Sequence, residues 1–278
     1  MSTITERESA EVAGANASGR QPVVFIHGLW LHASSWDAWR ERFEAQGYAT
    51  VVVDWPGDAR SVEDARNGGD TLAGVGVQDV TDHIAEVVGQ LTLKPILIGH
   101  SFGGLLVQRV ADLGLASSSV AIDPAPFKGV LPLPASALKA SSPVLGNPAN
   151  RKKTVTLTFD QFRYGFANAV TEDEAHALYE EFHIAAPGRP LFQAATANVS
   201  SGKATKIDVK NPARGPLLII NGGADHIVPN VLAKAALKLQ SKNPGRTEFK
   251  EIEGRGHSLT IDAGWPDVAD AALAFVRS

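Results

Sequence analysis

Beyond its first twenty residues the chain alternates short apolar runs with longer amphipathic stretches. The runs fall at residues 23–26, 50–53, 96–98, 120–122 and 217–220. They are rich in Val and Ile, are bounded by Gly, Pro or Asp, and have no polar alternate face. That pattern suits strands covered on both sides in a parallel sheet. The stretches between them carry the helical period. Trp36, Trp39 and Phe43 fall on one face of a helix that Ser34 or Ser35 can cap and Gly47 can end. Val80, Ile84, Val87, Val88 and Leu91 do the same over residues 79–91. Strands alternating with helices predict a doubly wound α/β fold.

The rhythm breaks between residues 127 and 204. A Pro-, Ser- and Ala-rich segment comes first, then the aromatic run 159–166. An acidic helix follows over residues 171–182, with Thr171 as N-cap and Glu174 completing a capping box. So many aromatic residues need an apolar surface to pack on, so 127–204 is expected to form a helical cap over a core made of 21–126 and 205–278. Parallel-sheet rhythm resumes at Leu217, and residues 247–252 read as a further strand. Residues 1–20 are small, polar and charged, and are expected to form a flexible tail without the apolar segment of a signal peptide.

Composition narrows the function. The 278 residues carry a net charge of −4 and no long basic run, which gives nucleic acid no electrostatic footprint. No apolar stretch is long enough to cross a bilayer, so no membrane partner and a cytoplasmic location are expected. The absence of cysteine removes disulfides, thiol catalysis and thiolate-bound metals. A homodimer is compatible with all of this.

The chemistry concentrates at Gly99-His100-Ser101-Phe102-Gly103, with Gly104 following. It lies between the run 96–98 and an apolar helical stretch, 105–113. A strand-to-helix turn tight enough to expose a serine strains its backbone and leaves room only for very small residues two positions to either side. Ser101 is therefore the candidate nucleophile. A serine needs a base and an acid to orient that base. Asp225 follows the apolar run 217–220 and a Gly-Gly turn, and His257 lies in a glycine-flanked loop after 247–252. Asp123, which ends the run 120–122, is a rival acid, and His226 is a weaker candidate base. The oxyanion of an acyl-transfer intermediate needs two preorganised donors. The backbone N–H groups of Phe102 and Leu29 are expected to supply them, with Gly28 permitting close approach and His27 holding the loop. Trp30 and His32 are expected near the pocket mouth.

The segments HGLW, DWPGD, GHSFGG, GGADHIVP and GRGHS, in this order, resemble the α/β-hydrolase superfamily over nearly the whole chain from about Pro22. The resemblance implies the triad Ser101, Asp225 and His257, oxyanion donors at Leu29 and Phe102, and a helical cap between the sixth and seventh core strands. One departure is Ala59, where many relatives have glycine in the loop beginning Asp54-Trp55-Pro56-Gly57. A serine nucleophile argues against the dehalogenase and epoxide-hydrolase branches, which use aspartate. The expected activity is hydrolysis of a small or medium acyl ester with no metal and no cofactor. Aromatic residues Phe159, Phe162, Tyr164 and Phe166 are expected to roof an apolar pocket. Carbon–carbon bond hydrolysis, cofactor-free perhydrolysis and a non-catalytic ligand receptor are the alternatives.

Overall fold

A computed structural model describes residues 4–278. Six strands form one parallel sheet: β1 (Pro22–Ile26), β2 (Ala49–Val53), β3 (Ile96–His100), β4 (Ser118–Ile122), β7 (Leu217–Gly222) and β8 (Thr247–Ile252), in the order β2-β1-β3-β4-β7-β8. Each apolar run became a strand because its alternate residues meet helices on opposite faces. In β1, Val24 and Ile26 join the apolar cluster under α1 (Glu6–Ser18), α4 (Val77–Val88), α5 (Phe102–Asp112) and α10 (Asn230–Gln240). Val23 and Phe25 join the other cluster, under α2 (Asp37–Glu44) and α11 (Trp265–Val276). Phe25 stacks on Trp36 at 5.1 Å and meets Phe43 edge-on at 5.4 Å, so the aromatic periodicity of the sequence reappears as one packed group.

The chain turns from β2 on one side of β1 to β3 on the other. This reversal opens a crevice at the carboxyl ends of β1 and β3, where ligands bind in open α/β sheets. The remaining elements are α3 (Val62–Asn67), which Ser61 caps, and an excursion between β4 and β7. The excursion contains α6 (Ala135–Leu145), α7 (Phe159–Gly165), α8 (Glu172–Phe182), α9 (Arg189–Ala195) and a short hairpin of β5 (Thr154–Val155) with β6 (Ala186–Pro187). It therefore falls between the fourth and fifth strands of the sheet. The implied place between sixth and seventh core strands does not apply, because the segment before β1 is helical.

Local details differ from the sequence reading. The aromatic helix begins with a 3-10 turn (Ala33–Trp36) whose cap is the imidazole of His32, accepting from Ser34 N, and not a serine. Thr171 caps α8, but Glu174 does not close a capping box. Its carboxylate accepts from Ala263 N at 2.7 Å, tying α8 to the loop before α11.

The larger correction concerns the N-terminus. Residues 1–3 lie outside the described part, but residues 6–18 form helix α1 and not a flexible tail. Its docking has a specific cause. Strand β2 is a sheet edge, and an edge presents unpaired N–H groups. Glu11 accepts from Val52 N at 2.8 Å and Glu8 from Asp54 N at 3.0 Å. Glu8 also accepts from His83 Nε2 at 2.9 Å, and Val12 and Ala15 are buried beneath the helix. Burial disfavours the Glu8 charge, but the bonds from His83 and from the Thr5 and Asp54 backbones outweigh it and lower its pKa below 4.5. A lowered carboxyl pKa stabilises the fold above the unfolded value, and that contribution is lost as pH falls. Glu8→Ala removes the acceptor shared by the buried His83 ring and the Thr5 and Asp54 N–H groups, with an expected cost of about 3 kcal/mol. Thermal unfolding should show a Tm fall on the order of 10 °C at neutral pH, shrinking toward acid pH.

Candidate active site

The ends of three neighbouring strands carry unusual backbone. Trp30, just beyond β1, has φ 66°, Ser101 after β3 has φ 57°, and Asp123 after β4 has φ 42°. Among the described residues these are the non-glycine positions with positive φ. Such strain gathers where structure over-determines a functional geometry.

Ser101 forms the turn between β3 and α5, with ψ −120° and its N–H bonded to Ile122 O at 2.9 Å. Its glycine neighbours are sterically required. A Cβ on Gly99 would strike the backbone of Gly103, and one on Gly103 would strike the carbonyl of Ile26. Gly28 packs on the turn itself: a Cβ there would lie 2.7 Å from Ser101 Cβ, 2.8 Å from His100 O and 3.3 Å from Phe102 N. The loop carrying Leu29 thus lies directly against the start of α5. Phe102 is the first residue of that helix, so its N–H has no intrahelical acceptor.

Asp225 and His257 are joined. His257 Nδ1 lies 2.6 Å from Asp225 Oδ2, while Asp225 Oδ1 accepts from Ile227 N at 2.7 Å and Val228 N at 2.9 Å. The loops that carry them are laced together by Ala224 N→Arg255 O at 2.8 Å and Gly223 N→Ile252 O at 2.9 Å. His257 is fully buried and its Nε2 has no hydrogen-bond partner. Ser101 is 4% exposed, so the group is closed off from bulk water.

The other candidates separate cleanly. His226 Nδ1 lies 2.9 Å from Tyr164 O, so this imidazole is engaged with the excursion. His27 places Nδ1 2.9 Å from Gly28 O and Nε2 2.9 Å from Asp58 Oδ2. Burial opposes a charge on His27, but Asp58 outweighs it and raises the pKa, so the ring suits a donor to both acceptors. It holds the Gly28 loop, as the sequence suggested. His32 binds Ser34 and Ala59 O, tying the loop after β1 to the loop after β2.

Trp30 points its indole N–H at Val155 O, 3.0 Å away, and meets Phe166 edge-on at 6.2 Å. Phe166 in turn meets the His257 ring edge-on at 4.9 Å and stacks on Phe162 at 5.0 Å. The expected aromatic roof therefore divides. Phe166 covers the histidine and Phe162 backs it, whereas Phe159 stacks on His176 and Tyr164 packs on His226. The backbone after β1 is also stitched to the end of α8, through Ile184 N→Trp30 O at 3.1 Å and His32 N→Phe182 O at 3.3 Å.

Two further buried residues lie here. His100 donates from Nε2 to the His257 carbonyl at 2.8 Å, and its ring lies 4.6 Å from the His257 ring. Burial, followed by the proximity of His257, pushes its pKa well below the usual imidazole value, so it is neutral. Asp123 is the second, considered from sequence only as a rival acid. The His100–His257 contact and the bond that Asp123 Oδ1 accepts from Gly222 N at 2.7 Å have no sequence signal, since both join residues about a hundred or more positions apart.

Comparison with known proteins agrees with this architecture. Residues 23–271 match the model of the alpha/beta hydrolase family. The chain is 30% identical to a non-heme chloroperoxidase from Burkholderia pyrrocinia over the full length of both. Among solved structures it resembles a monoacylglycerol lipase from Paleococcus ferrophilus, with a TM-score of 0.65, 23% identity, and 91% and 93% of the two chains covered. A hydrolase from Oleispira antarctica matches with a TM-score of 0.67 at 14% identity, covering 99% of each chain. With the family match running from the first strand into the last helix, the chain belongs to the alpha/beta hydrolase family.

Proposed function

We propose that this protein hydrolyses carboxylic esters of small or medium acyl groups, through an acyl-enzyme formed on Ser101. The observation that carries the reading is the buried Asp225–His257 hydrogen bond with an unpartnered His257 Nε2, together with a serine on a strained strand-to-helix turn whose preceding residue, His100, bonds the His257 carbonyl. Asp225 accepts a hydrogen bond from the Nδ1–H of His257, which keeps that proton and leaves Nε2 as the basic atom. Ser101 Oγ attacks the ester carbonyl as its proton passes to Nε2. The N–H groups of Leu29 and Phe102 stabilise the tetrahedral oxyanion. The intermediate collapses, the alcohol leaves with the proton from His257, and an acyl-serine remains. Water then gives its proton to His257 and attacks the acyl carbon, releasing the acid and restoring Ser101. The sequence needs no cofactor. The segment 127–204, whose Phe166 packs on His257, supplies the pocket wall together with Trp30, which packs on Phe166.

Incubation with p-nitrophenyl acetate and butyrate is expected to give a burst of nitrophenol followed by steady turnover. A protein inert toward a panel of acyl lengths and lactones would overturn the reading. Gly28→Ala tests the oxyanion assignment. The added methyl pushes the Leu29 loop away from the turn, and kcat is expected to fall roughly 100-fold, the effect of one lost oxyanion donor.

The full-length similarity to a non-heme chloroperoxidase favours one further reading on the same residues. Hydrogen peroxide in place of water would attack the acyl-serine, giving a peracid and free Ser101. Peracid formation from acetate ester and peroxide, lost with the serine, would establish it.

A further inference from the structure

Strand β4 ends in a carboxyl that the ester mechanism does not use. Asp123 is fully buried, and its backbone is held by Asp123 N→Ile220 O at 2.8 Å. Its Oδ1 accepts from Gly222 N at 2.7 Å and from Asn221 Nδ2 at 2.9 Å. Its Oδ2 is buried and has no hydrogen-bond partner, and the Asp225 side chain is the carboxyl that interacts with it. One oxygen of Asp123 thus has two donors and the other has none, with a second buried carboxyl beside it. Two buried carboxyls in contact cannot both ionise, because the second charge meets both desolvation and the first.

Their partners decide which one holds the proton. Asp225 receives two backbone N–H groups and the His257 ring, so its charge is well supported. Asp123 has an oxygen that only a proton can satisfy. We propose that Asp123 is a positioning residue that stands as a neutral acid and donates from Oδ2 to Asp225, fixing the carboxylate that orients His257. The proposal rests on the triad reading above. The groups facing Asp123 are Asp225 beyond β7, His100 at the end of β3, and Arg255 and His257 in the loop after β8. Ring nitrogens of His100 and His257 and an Asp123 oxygen lie within 4.8 Å of one another. Burial, then the Asp225 charge, raises the Asp123 carboxyl well above its ordinary 3.8.

Asparagine reproduces a neutral acid in this position: its oxygen accepts from Gly222 and Asn221, and its NH2 donates to Asp225. Asp123→Asn is therefore expected to keep kcat/KM within about threefold of wild type, with an unmoved acidic limb in the pH profile. Asp123→Ala removes the donation. Its kcat is expected to fall about tenfold or more with KM unchanged, and its acidic limb to move to higher pH. The sign follows because an unassisted Asp225 holds more negative charge against the imidazolium. If Asp123 carried the charge itself, Asp123→Asn would lower kcat/KM by orders of magnitude and move that limb to lower pH, overturning the proposal.

A second measurement does not depend on turnover, so it separates this proposal from the ester reading. A carboxyl whose folded pKa is raised must take up a proton on folding, which costs stability above the unfolded value of 3.8 and ceases to do so below it. Asparagine has no such cost. The Tm difference, Asp123→Asn minus wild type, is expected to be more positive at about pH 7.5 than at about pH 5. A flat or inverted difference would overturn the proposal even in an inactive protein. Should Asp123→Asn fail to fold, infrared spectra of wild type at neutral pH decide the matter: a buried protonated carboxyl band is expected, and its absence would overturn the assignment.

Discussion

Ser101→Ala is expected to reduce hydrolysis of p-nitrophenyl butyrate by ~10⁴-fold or more, with kcat taking the loss. Without Oγ there is no atom in place to form the acyl-enzyme, so the burst disappears along with steady turnover. The fold should be retained, because the turn is set by backbone bonds of Ser101 to Ile122 and Ala125 and by the flanking glycines, none of which needs the hydroxyl. A fluorophosphonate probe should label wild type at Ser101 and leave the variant unlabelled. A label on any other residue, or turnover in the variant above a tenth of wild type, would remove Ser101 from the chemistry.

Asp225→Asn should be nearly as damaging, with a fall in kcat of about 10⁴-fold. The reason is in the hydrogen bonds of this one carboxylate. Oδ1 is taken by the N–H groups of Ile227 and Val228, so an asparagine must place its own oxygen there. Its NH2 then falls where Oδ2 meets His257 Nδ1, now 2.6 Å apart. The imidazole turns Nδ1 into an acceptor and carries its proton on Nε2, where it cannot take one from Ser101. The loss should ease at high pH only as far as hydroxide can replace the base. Equal activity of variant and wild type at neutral pH would pass the orienting role to Asp123.

Much of this was legible in one dimension. The five apolar runs mark five of the six sheet strands, because strands buried on both faces need unbroken apolar residues. The motif around Ser101 is legible because its glycines answer the steric demand of such a turn: a Cβ on Gly99 would collide with the Gly103 backbone, and one on Gly103 with the Ile26 carbonyl of the neighbouring strand. Helix α1 was misread for an equally physical reason. Its segment is polar and weakly amphipathic, and what holds it is the carboxylates of Glu8 and Glu11 meeting N–H groups of an edge strand. Nothing in residues 6–18 reports that Val52 and Asp54 will be unpaired. Glu174 looked like a local cap for the same reason, though its acceptor was used by Ala263, 89 positions away.

The sequence by itself determined the fold class and the candidate serine and base, and narrowed the acid to two aspartates, since each of these lies in a short segment with a recognisable pattern. Only the tertiary structure decided which aspartate touches His257. Asp123 and Asp225 both follow strands, Asp123 directly and Asp225 after a short turn, both are buried, and both lie where an acid could serve. They are told apart by donors arriving from elsewhere: Ile227, Val228 and His257 on one carboxyl, Gly222 and Asn221 on a single oxygen of the other. Charge in a buried pair is settled by the balance of such donors, and that balance exists only after β4, β7 and β8 lie side by side.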